Sequence, residues 1–395
     1  MSAVKNTGKR RLLAALTLNK LADLLISAKT TLPALLTLAG APAWMIGWLV
    51  PIRESGALLP QAVFGIALRT IRARHWVWRA GMAVQGLMAL VMIAAVLFMS
   101  PWFAGMTVLL ALALFSVARA GCSLTMKDIQ AGLVPKGQRG RLIGIAASLS
   151  GALTLAIAVP LVVYQPQLAD GWLIALVALA ALGFACAVLV LWPVKTFVNI
   201  EQDGKRVPSL TQGWNFDPVV YRFVLVRGLF VHSALVAPYF MLESQHNAQS
   251  LLPVYLAGQA LASLTSGFVW GRVADHSARL TLQLAGMLAI AACMGLVILT
   301  QASLFQSALL FFVLSVAHSG VRSGRKTFSL DVKDGQNRTE LVAFSNTAIG
   351  GILLFFGVLY SVLGELLSFS LVYPMSAMLL AGVLLTGFLP DEKKH

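Results

Sequence analysis

Apolar blocks of about 20 residues follow one another along almost the whole chain, separated by short polar breaks. A block of this length crosses roughly 30 Å of hydrocarbon as an α-helix. Helices are predicted rather than a β-barrel, because barrel strands would alternate apolar and polar residues over about 10 positions. The 395 residues are 58% hydrophobic and only 11% charged. The sequence therefore predicts an all-α, multi-pass integral membrane protein.

We predict twelve transmembrane segments from these blocks. They lie near residues 12–38, 43–67, 76–99, 102–125, 141–164, 171–193, 218–241, 249–271, 279–299, 303–321, 341–364 and 367–389. Lys and Arg concentrate at the two termini and in alternate loops, whereas the loops between contain none and carry the acids Asp170, Glu243 and Glu365. Because basic loops stay in the cytoplasm, this alternation predicts that both termini are cytoplasmic.

The net charge of +15 does not indicate a nucleic-acid partner, because its distribution follows the alternation of loops. The expected partners are the lipid bilayer and a small-molecule substrate. We expect no cofactor and no metal, since Cys122, Cys186 and Cys293 are isolated within helices. No phosphate-binding loop of the form GxxxxGK(S/T) occurs, which disfavours ATP-driven pumping.

The longest hydrophilic break, residues 194–217, divides the chain into two six-helix parts. We predict a first half at residues 1–193, a cytoplasmic central loop, and a second half at residues 218–395. Pro33 and Pro238 are expected to interrupt the first helix of each half, and "VARAG" and "GVRSG" end the fourth helix of each. Offsets of about 200 residues between such features indicate a duplicated six-helix unit, which is common in transporters.

The stretch "GRVADHSARL", residues 271–280, resembles the signature loop G-x-(L/V)-A-D-(R/K)-x-G-R-(R/K) of the major facilitator superfamily. Gly271, Asp275 and Arg279 match that motif, whereas His276 and Ala278 depart from it. The resemblance implies twelve helices in two pseudo-symmetric six-helix bundles around a central cavity, and a transporter rather than an enzyme.

The same resemblance implies a gating role for the signature loop. In the family, the Asp and the Arg form a cytoplasmic charge latch, so Gly271, Asp275 and Arg279 are the gating residues expected here. Arg119, near the end of helix 4, is similar to the arginine of the family's helix 4 motif and is expected to join them. In the first-half copy of the loop, Arg69 stands where the Asp should be.

Charged residues inside apolar segments are costly and are therefore candidate functional groups. Lys29 lies deep in helix 1, one turn before Pro33, and such a proline frees a backbone carbonyl that usually finds its partner beside a cavity. Arg53 and Glu54 are adjacent, so their side chains project about 100° apart and must have different partners. An arginine can bind a carboxylate or a phosphate through its planar fork.

We predict that Lys29, Arg53, Arg227, Gln259 and Asn346 contact the substrate. Proton coupling is assigned to Glu54 or Asp23, because a desolvated carboxyl group can exchange a proton. Structural alternatives stay open: Arg53 or Glu54 could close an ion pair with Lys29 or with helix 11. Arg227 could likewise pair with Asp23, and Arg119 could form a structural ion pair.

Basic residues exceed acidic ones at mid-depth, which favours an anionic or zwitterionic substrate. We therefore expect a proton-coupled secondary transporter, a monomer in the bacterial inner membrane, that alternates access between its two halves. The alternative is a drug or metabolite/proton antiporter, although helix 5 lacks the G-P-x-G-G-like stretch usual in such exporters. A nontransporting membrane sensor or a membrane enzyme is a more distant alternative.

Overall fold

The structure of the protein, a computed structural model, describes residues 2–68, 70–135, 138–164, 171–197, 218–331, 335–366 and 369–389. Across these ranges the chain is helical. The α-helices are α1 Ser2–Leu25, α2 Thr31–Leu38, α3 Ala43–Leu58, α4 Gln61–Ala67, α5 Arg74–Phe98, α6 Pro101–Leu133, α7 Arg139–Tyr164, α8 Gly171–Leu191, α9 Pro218–Leu229, α10 His232–Leu235, α11 Tyr239–Leu242, α12 Ala248–His276, α13 Ala278–Ile298, α14 Leu304–Asp331, α15 Gly335–Leu366 and α16 Val372–Leu385.

Within the described ranges, nine helical segments are long and apolar enough to cross a bilayer. They are Arg74–Phe98, Pro101–Leu133, Arg139–Tyr164, Gly171–Leu191, Pro218–Leu242, Ala248–His276, Ala278–Ile298, Leu304–Phe328 and Phe344–Leu366. Large apolar side chains such as Phe98, Phe305 and Leu189 lie exposed on the outer surface of these helices. A soluble domain rarely exposes so much apolar surface, so the outer surface fits a lipid environment.

The first predicted span consists of two helices, α1 and α2, separated by residues 26–30. The Ser27 carbonyl accepts hydrogen bonds from the backbone N–H groups of Thr30, at 3.3 Å, and Leu32, at 3.0 Å. Pro33 has no N–H to donate and is tolerated only in the first turn of a new helix, where it lies. The predicted interruption is therefore present, and it places Lys29 in a non-helical segment.

The seventh predicted span is interrupted as well, into α9, α10 and α11, with Pro238 directly before α11. The second span is divided into α3 and α4 at residues 59–60, which was not predicted. The last span is the shorter helix α16, followed by one 3₁₀ turn, Thr386–Phe388. Twelve spans and cytoplasmic termini stay predictions.

Helices from the first part of the chain pack mainly on each other: α1 on α7 and α8, α5 on α6 and α8, and α3 on α6. In the second part, α13 packs on α14 and α16, and α12 packs on α14. Two seams join the parts, α7 against α12 and α3 against α15. The predicted boundary at residues 194–217 stays a prediction, because most of it lies outside the described residues.

Glycines allow both seams to close. A Cβ at Gly151 on α7 would lie 3.1 Å from the Ala260 carbonyl oxygen of α12. A Cβ at Gly357 on α15 would lie 2.9 Å from the Cβ of Pro51 on α3. Residues 30–36 and 230–241 are all buried, so the two parts are closed at the end that contains α2, α10 and α11. This end is the predicted extracytoplasmic side.

Candidate functional site

A cavity of about 150 Å³ lies between the two parts of the chain. Its lining comes from both: Leu24 and Lys29 from the first part, and Gln259, His318 and Arg322 among others from the second. Arg322 is also exposed, so the cavity opens toward the end of α14. By the predicted topology this opening faces the cytoplasm, opposite the closed end.

Lys29 reaches the cavity because the first span is interrupted. Its backbone N–H donates to the Ser27 hydroxyl at 3.2 Å, which holds the non-helical turn. Within the described residues its ammonium group has no ion pair and no hydrogen bond, and it lies in the lining of the cavity. Lys29 therefore lies in the lining of the cavity, and its role as a substrate contact stays a prediction.

Gln259 on α12 lines the cavity and bonds to the same interrupted segment. Its side-chain oxygen accepts a hydrogen bond from the Thr30 hydroxyl at 3.3 Å, and its amide nitrogen donates to the Ser27 hydroxyl at 3.5 Å. These long contacts join the second part of the chain to the break beside Lys29. A solute in the cavity would compete for them.

Hydroxyl groups supply most of the remaining polar lining. His318 Nδ1 lies 3.1 Å from the hydroxyl of Ser233, and Ser266 donates to Ser319 at 2.8 Å. These two bonds join neighbouring helices, α10 to α14 and α12 to α14. All four residues also border the cavity. Each has a further donor or acceptor position that these bonds do not use and that could bind a solute.

Two cations of this site were missed from the sequence, Arg322 and Arg325 on α14. We predicted that helix 10 ends near residue 321, but α14 continues to Asp331, which carries both arginines on a helix beside the cavity. Glu54 is the acid with the largest electrostatic effect on Lys29, and Lys29, Arg325 and Arg322 are its strongest cationic neighbours. In the described part of the chain, none of these groups forms an ion pair within 4 Å.

Arg53 turns away from Glu54, as the 100° between neighbouring side chains requires. It lies 2.8 Å from the carboxylate of Asp23, which also binds Arg119, and its guanidinium stacks 4.4 Å above the Phe115 ring. We call Asp23, Arg53 and Arg119 the ion triad. The structural alternative for Arg119 is thus observed, and Arg53 has a partner, Asp23, that was not among those considered.

The remaining assignments of the ion triad stay predictions: substrate contact for Arg53, proton coupling for Asp23 and gating for Arg119. None of the three residues lines the cavity.

Arg227 binds a different partner from the one considered. It donates to the Ser345 hydroxyl at 2.6 Å and to the Asn346 side-chain oxygen at 2.8 Å, so the alternative of a pair with Asp23 is wrong. Asn346 in turn donates to Gln61 on α4 at 3.0 Å. Arg227 and Asn346 therefore form a polar link across the α3–α15 seam, outside the cavity lining, and their substrate role stays a prediction.

The signature loop lies between α12 and α13. The Ser277 hydroxyl accepts from the Leu280 N–H at 3.1 Å and caps α13, while Arg279 donates to the Gly387 carbonyl at 3.3 Å. Asp275 is exposed and forms no ion pair with any residue in the described ranges. Gly271 has open space around it. The latch role of Gly271, Asp275 and Arg279 stays a prediction.

In the ranges that the structure describes, no group of three or more His, Cys, Asp or Glu side chains is placed to hold a metal ion. No protein-family model and no curated protein sequence matches the chain.

Solved structures match the fold over the whole chain. A D-xylose–proton symporter superposes with a TM-score of 0.71 at 15% sequence identity, covering 100% of this chain and 99% of that one. A POT family transporter in complex with 5-aminolevulinic acid gives 0.70 at 11% identity, with 97% and 95% covered. The nucleoside transporter NupG gives 0.66 at 12% identity, with 97% and 98% covered.

These neighbours are membrane transporters, and their fold is the major facilitator fold that the sequence motifs predicted. The resemblance is confirmed at the level of the fold. The solutes in their names differ in chemistry, so the fold does not specify what this chain binds.

Proposed function

We propose that this chain, which has the major facilitator fold, is a secondary active transporter of a small polar anion. The observation that carries the proposal is the cavity between the two parts of the chain, bordered by Lys29 and Arg322, which form no ion pair with any residue that the structure describes. An empty, partly desolvated site with unpaired positive charges is unfavourable, and a bound anion would neutralise it. The site thus favours an anionic solute over the zwitterion that the sequence left open.

Alternating access fits the distribution of burial. One end is closed by α2, α10 and α11, and the cavity opens at the other end beside Arg322. The interrupted helices and the two glycine-lined seams are the elements that would change between the two states. Asp275 is exposed and forms no ion pair with any residue in the described ranges, which supports a state that faces the predicted cytoplasmic side.

We assign proton coupling to Glu54 rather than to Asp23. The carboxylate of Asp23 is already paired with two arginines, Arg53 and Arg119. Glu54 forms no ion pair within the described ranges and lies beside Lys29, so a solute that binds Lys29 would change the environment of Glu54. We further propose a monomer with cytoplasmic termini and twelve spans in the bacterial inner membrane.

The test is charge displacement by purified protein in proteoliposomes on a solid-supported membrane. Small organic anions should evoke currents, and these currents should increase when a proton gradient drives protons in the direction in which the anion moves. Lys29→Gln should abolish the currents, whereas Lys195→Gln, which alters an exposed lysine in the segment after α8, should leave them unchanged. Transport of lipophilic cations in place of anions would contradict the proposal and support the exporter alternative.

A further inference from the structure

Embedded cations fall into two groups according to whether they have partners. Away from the cavity, Arg53 and Arg119 bind Asp23, Arg227 binds Ser345 and Asn346, and Lys20 donates to the Ile143 carbonyl at 3.3 Å. Lys29, Arg322 and Arg325 differ, because they have neither an ion pair nor a hydrogen-bonded side-chain partner among the described residues. Of these three unpartnered cations, Lys29 and Arg322 line the cavity, and Arg325 lies one turn beyond Arg322 on α14.

Positive charges outnumber negative charges around the cavity. Lys29, Arg322 and Arg325 carry three positive charges, and Glu54 is the acid that interacts with them among the residues the structure describes. The lining of the cavity contains Lys29 and Arg322 and, within the described ranges, no acid. Two positive charges remain in excess. The neighbouring ion triad, with two arginines and one aspartate, is itself positive and does not offset them.

Resting on the proposed function, we infer that the transported solute is a small dianion, a dicarboxylate or a phosphate monoester. Two negative charges neutralise the excess, a monoanion leaves one positive charge uncompensated, and a zwitterion leaves both. Lysine and arginine both bind carboxylate and phosphate oxygens. The two excess positive charges therefore favour a solute with two negative charges.

The dimensions of the cavity limit the size of the solute. A closed cavity of about 150 Å³ accommodates a molecule of about the size of benzene. Because this cavity is open at one end, we expect about six to ten non-hydrogen atoms. Hydroxyls of Ser233, Ser263 and Ser266 and the amide of Gln259 would bind polar groups between the charges. A hydroxylated or short-chain dianion satisfies both limits.

The experiment measures thermal unfolding of the purified full-length protein in nanodiscs at pH 7.5 and constant ionic strength. Succinate is compared with butyrate and 4-aminobutyrate, which share its chain length but carry one charge or both signs. Glycerol 3-phosphate is compared with glycerol. We expect the Tm to increase by a few degrees with at least one dianion and to change little with the matched compounds. The dianion that raises the Tm more shows whether the site recognises carboxylate or phosphate groups.

Variants separate this site from nonspecific anion effects. Lys29→Gln and Arg322→Gln should each lower the affinity for the dianion at least tenfold. Arg322→Gln should also reduce the ratio of the affinity for the dianion to the affinity for butyrate. Lys29→Gln without ligand should melt at the same or a higher temperature, because it removes an unpaired charge. Lys195→Gln, at an exposed residue after α8, is the control and should behave like the wild type.

The inference is overturned if neither dianion stabilises the protein, if butyrate or 4-aminobutyrate stabilises it equally, or if the dianion effect survives in Lys29→Gln and Arg322→Gln. Dianion binding without uptake of the radiolabelled dianion into proteoliposomes, with or without a proton gradient, would confirm the binding site and overturn the transporter proposal. If a zwitterion is transported and neither dianion is, the transporter proposal is supported and the inference of a dianionic substrate is overturned.

Discussion

Arg53 on α3 lies 2.8 Å from the carboxylate of Asp23 on α1, and Arg119 on α6 binds the same carboxylate. One acid thus holds two arginines from two other helices at bilayer depth. The side chains of Arg53 and Asp23 are only 11% and 15% exposed. A buried pair of this kind contributes little net stability when intact, but the loss of one partner leaves a desolvated charge behind.

Asp23→Asn should therefore destabilise the protein by about 3–5 kcal/mol, because both arginines lose their counter-ion. The measurement is the free energy of unfolding in a detergent titration. Asp275→Asn is the control: Asp275 is exposed and forms no ion pair with any described residue, so its loss should cost less than about 1 kcal/mol. Equal losses in the two variants would contradict the role of the ion triad.

Local sequence features predicted much of this architecture. Hydropathy predicted the nine long apolar helical segments found within the described ranges. Pro33 and Pro238 predicted the interruptions in the first and seventh predicted spans, because proline cannot donate to the helix ladder. The placement of Lys29 beside the cavity followed from the same proline. These predictions succeeded because each depends on residues that are close in sequence.

The partners of the embedded charges could not be predicted in this way. Whether Asp23 meets Arg53 or Arg227 depends on which helices are neighbours, and the sequence alone does not contain that information. Arg322 and Arg325 were missed for another reason: hydropathy ends a segment where charges begin, although the helix continues into the cavity mouth. A polar helix end that faces a neighbouring helix has no distinctive apolar pattern.

Arg79 joins the end of the first part to α5, and its geometry predicts that lysine cannot replace it. Its guanidinium donates to the carbonyls of Trp192 and Val194, the latter at 3.1 Å, and lies 4.8 Å from the Trp76 ring and 4.5 Å from the Trp192 ring. Lysine has no planar fork that could stack between two rings and bind two carbonyls together.

Arg79→Lys should lower the free energy of unfolding by about 1–3 kcal/mol, from lost cation–π contacts and lost charge-assisted hydrogen bonds. Lys195→Arg, at an exposed residue of the same segment, is the control and should be neutral. Full stability of Arg79→Lys in the detergent titration would show that charge alone is sufficient at this position.

Glu243, in the loop between α11 and α12, should make stability depend on pH. The Ser370 hydroxyl donates to its carboxylate, and although the residue as a whole is exposed, burial of the carboxyl group raises its pKa above the ordinary 4.5. The folded state therefore favours the protonated form. Its stabilising contribution is fully present below the ordinary pKa and is lost as the pH rises through the raised value.

Glu243→Gln keeps an acceptor for Ser370 and removes the titration. The variant should melt at a higher temperature than the wild type at pH 7.5, and the difference should shrink toward zero at pH 4. Melting curves of both proteins over this range measure the effect, with Gln245→Ala as a neighbouring variant that cannot titrate. A difference that grows as the pH falls would mean that the pKa is lowered in the folded state.

Gly357 on α15 sets how closely the two parts of the chain approach at the closed end. A Cβ there would lie 2.9 Å from the Cβ and 3.0 Å from the Cγ of Pro51, and a proline ring cannot rotate away. Gly351 lies on the same helix with nothing within 4 Å of its Cβ position. The same substitution at the two sites therefore separates seam packing from helix propensity.

Gly357→Ala should cost about 1–3 kcal/mol of unfolding free energy through overpacking, whereas Gly351→Ala should be neutral or stabilise by up to about 1 kcal/mol. A cysteine in place of the buried Thr31 reports on the closed end. An impermeant maleimide should label it faster in Gly357→Ala than in Gly351→Ala, because a spread seam exposes α2. Identical stability and labelling in the two variants would show that the α3–α15 contact does not close this end. Closure would then depend on the α7–α12 seam. Gly151→Ala is the corresponding substitution in that seam.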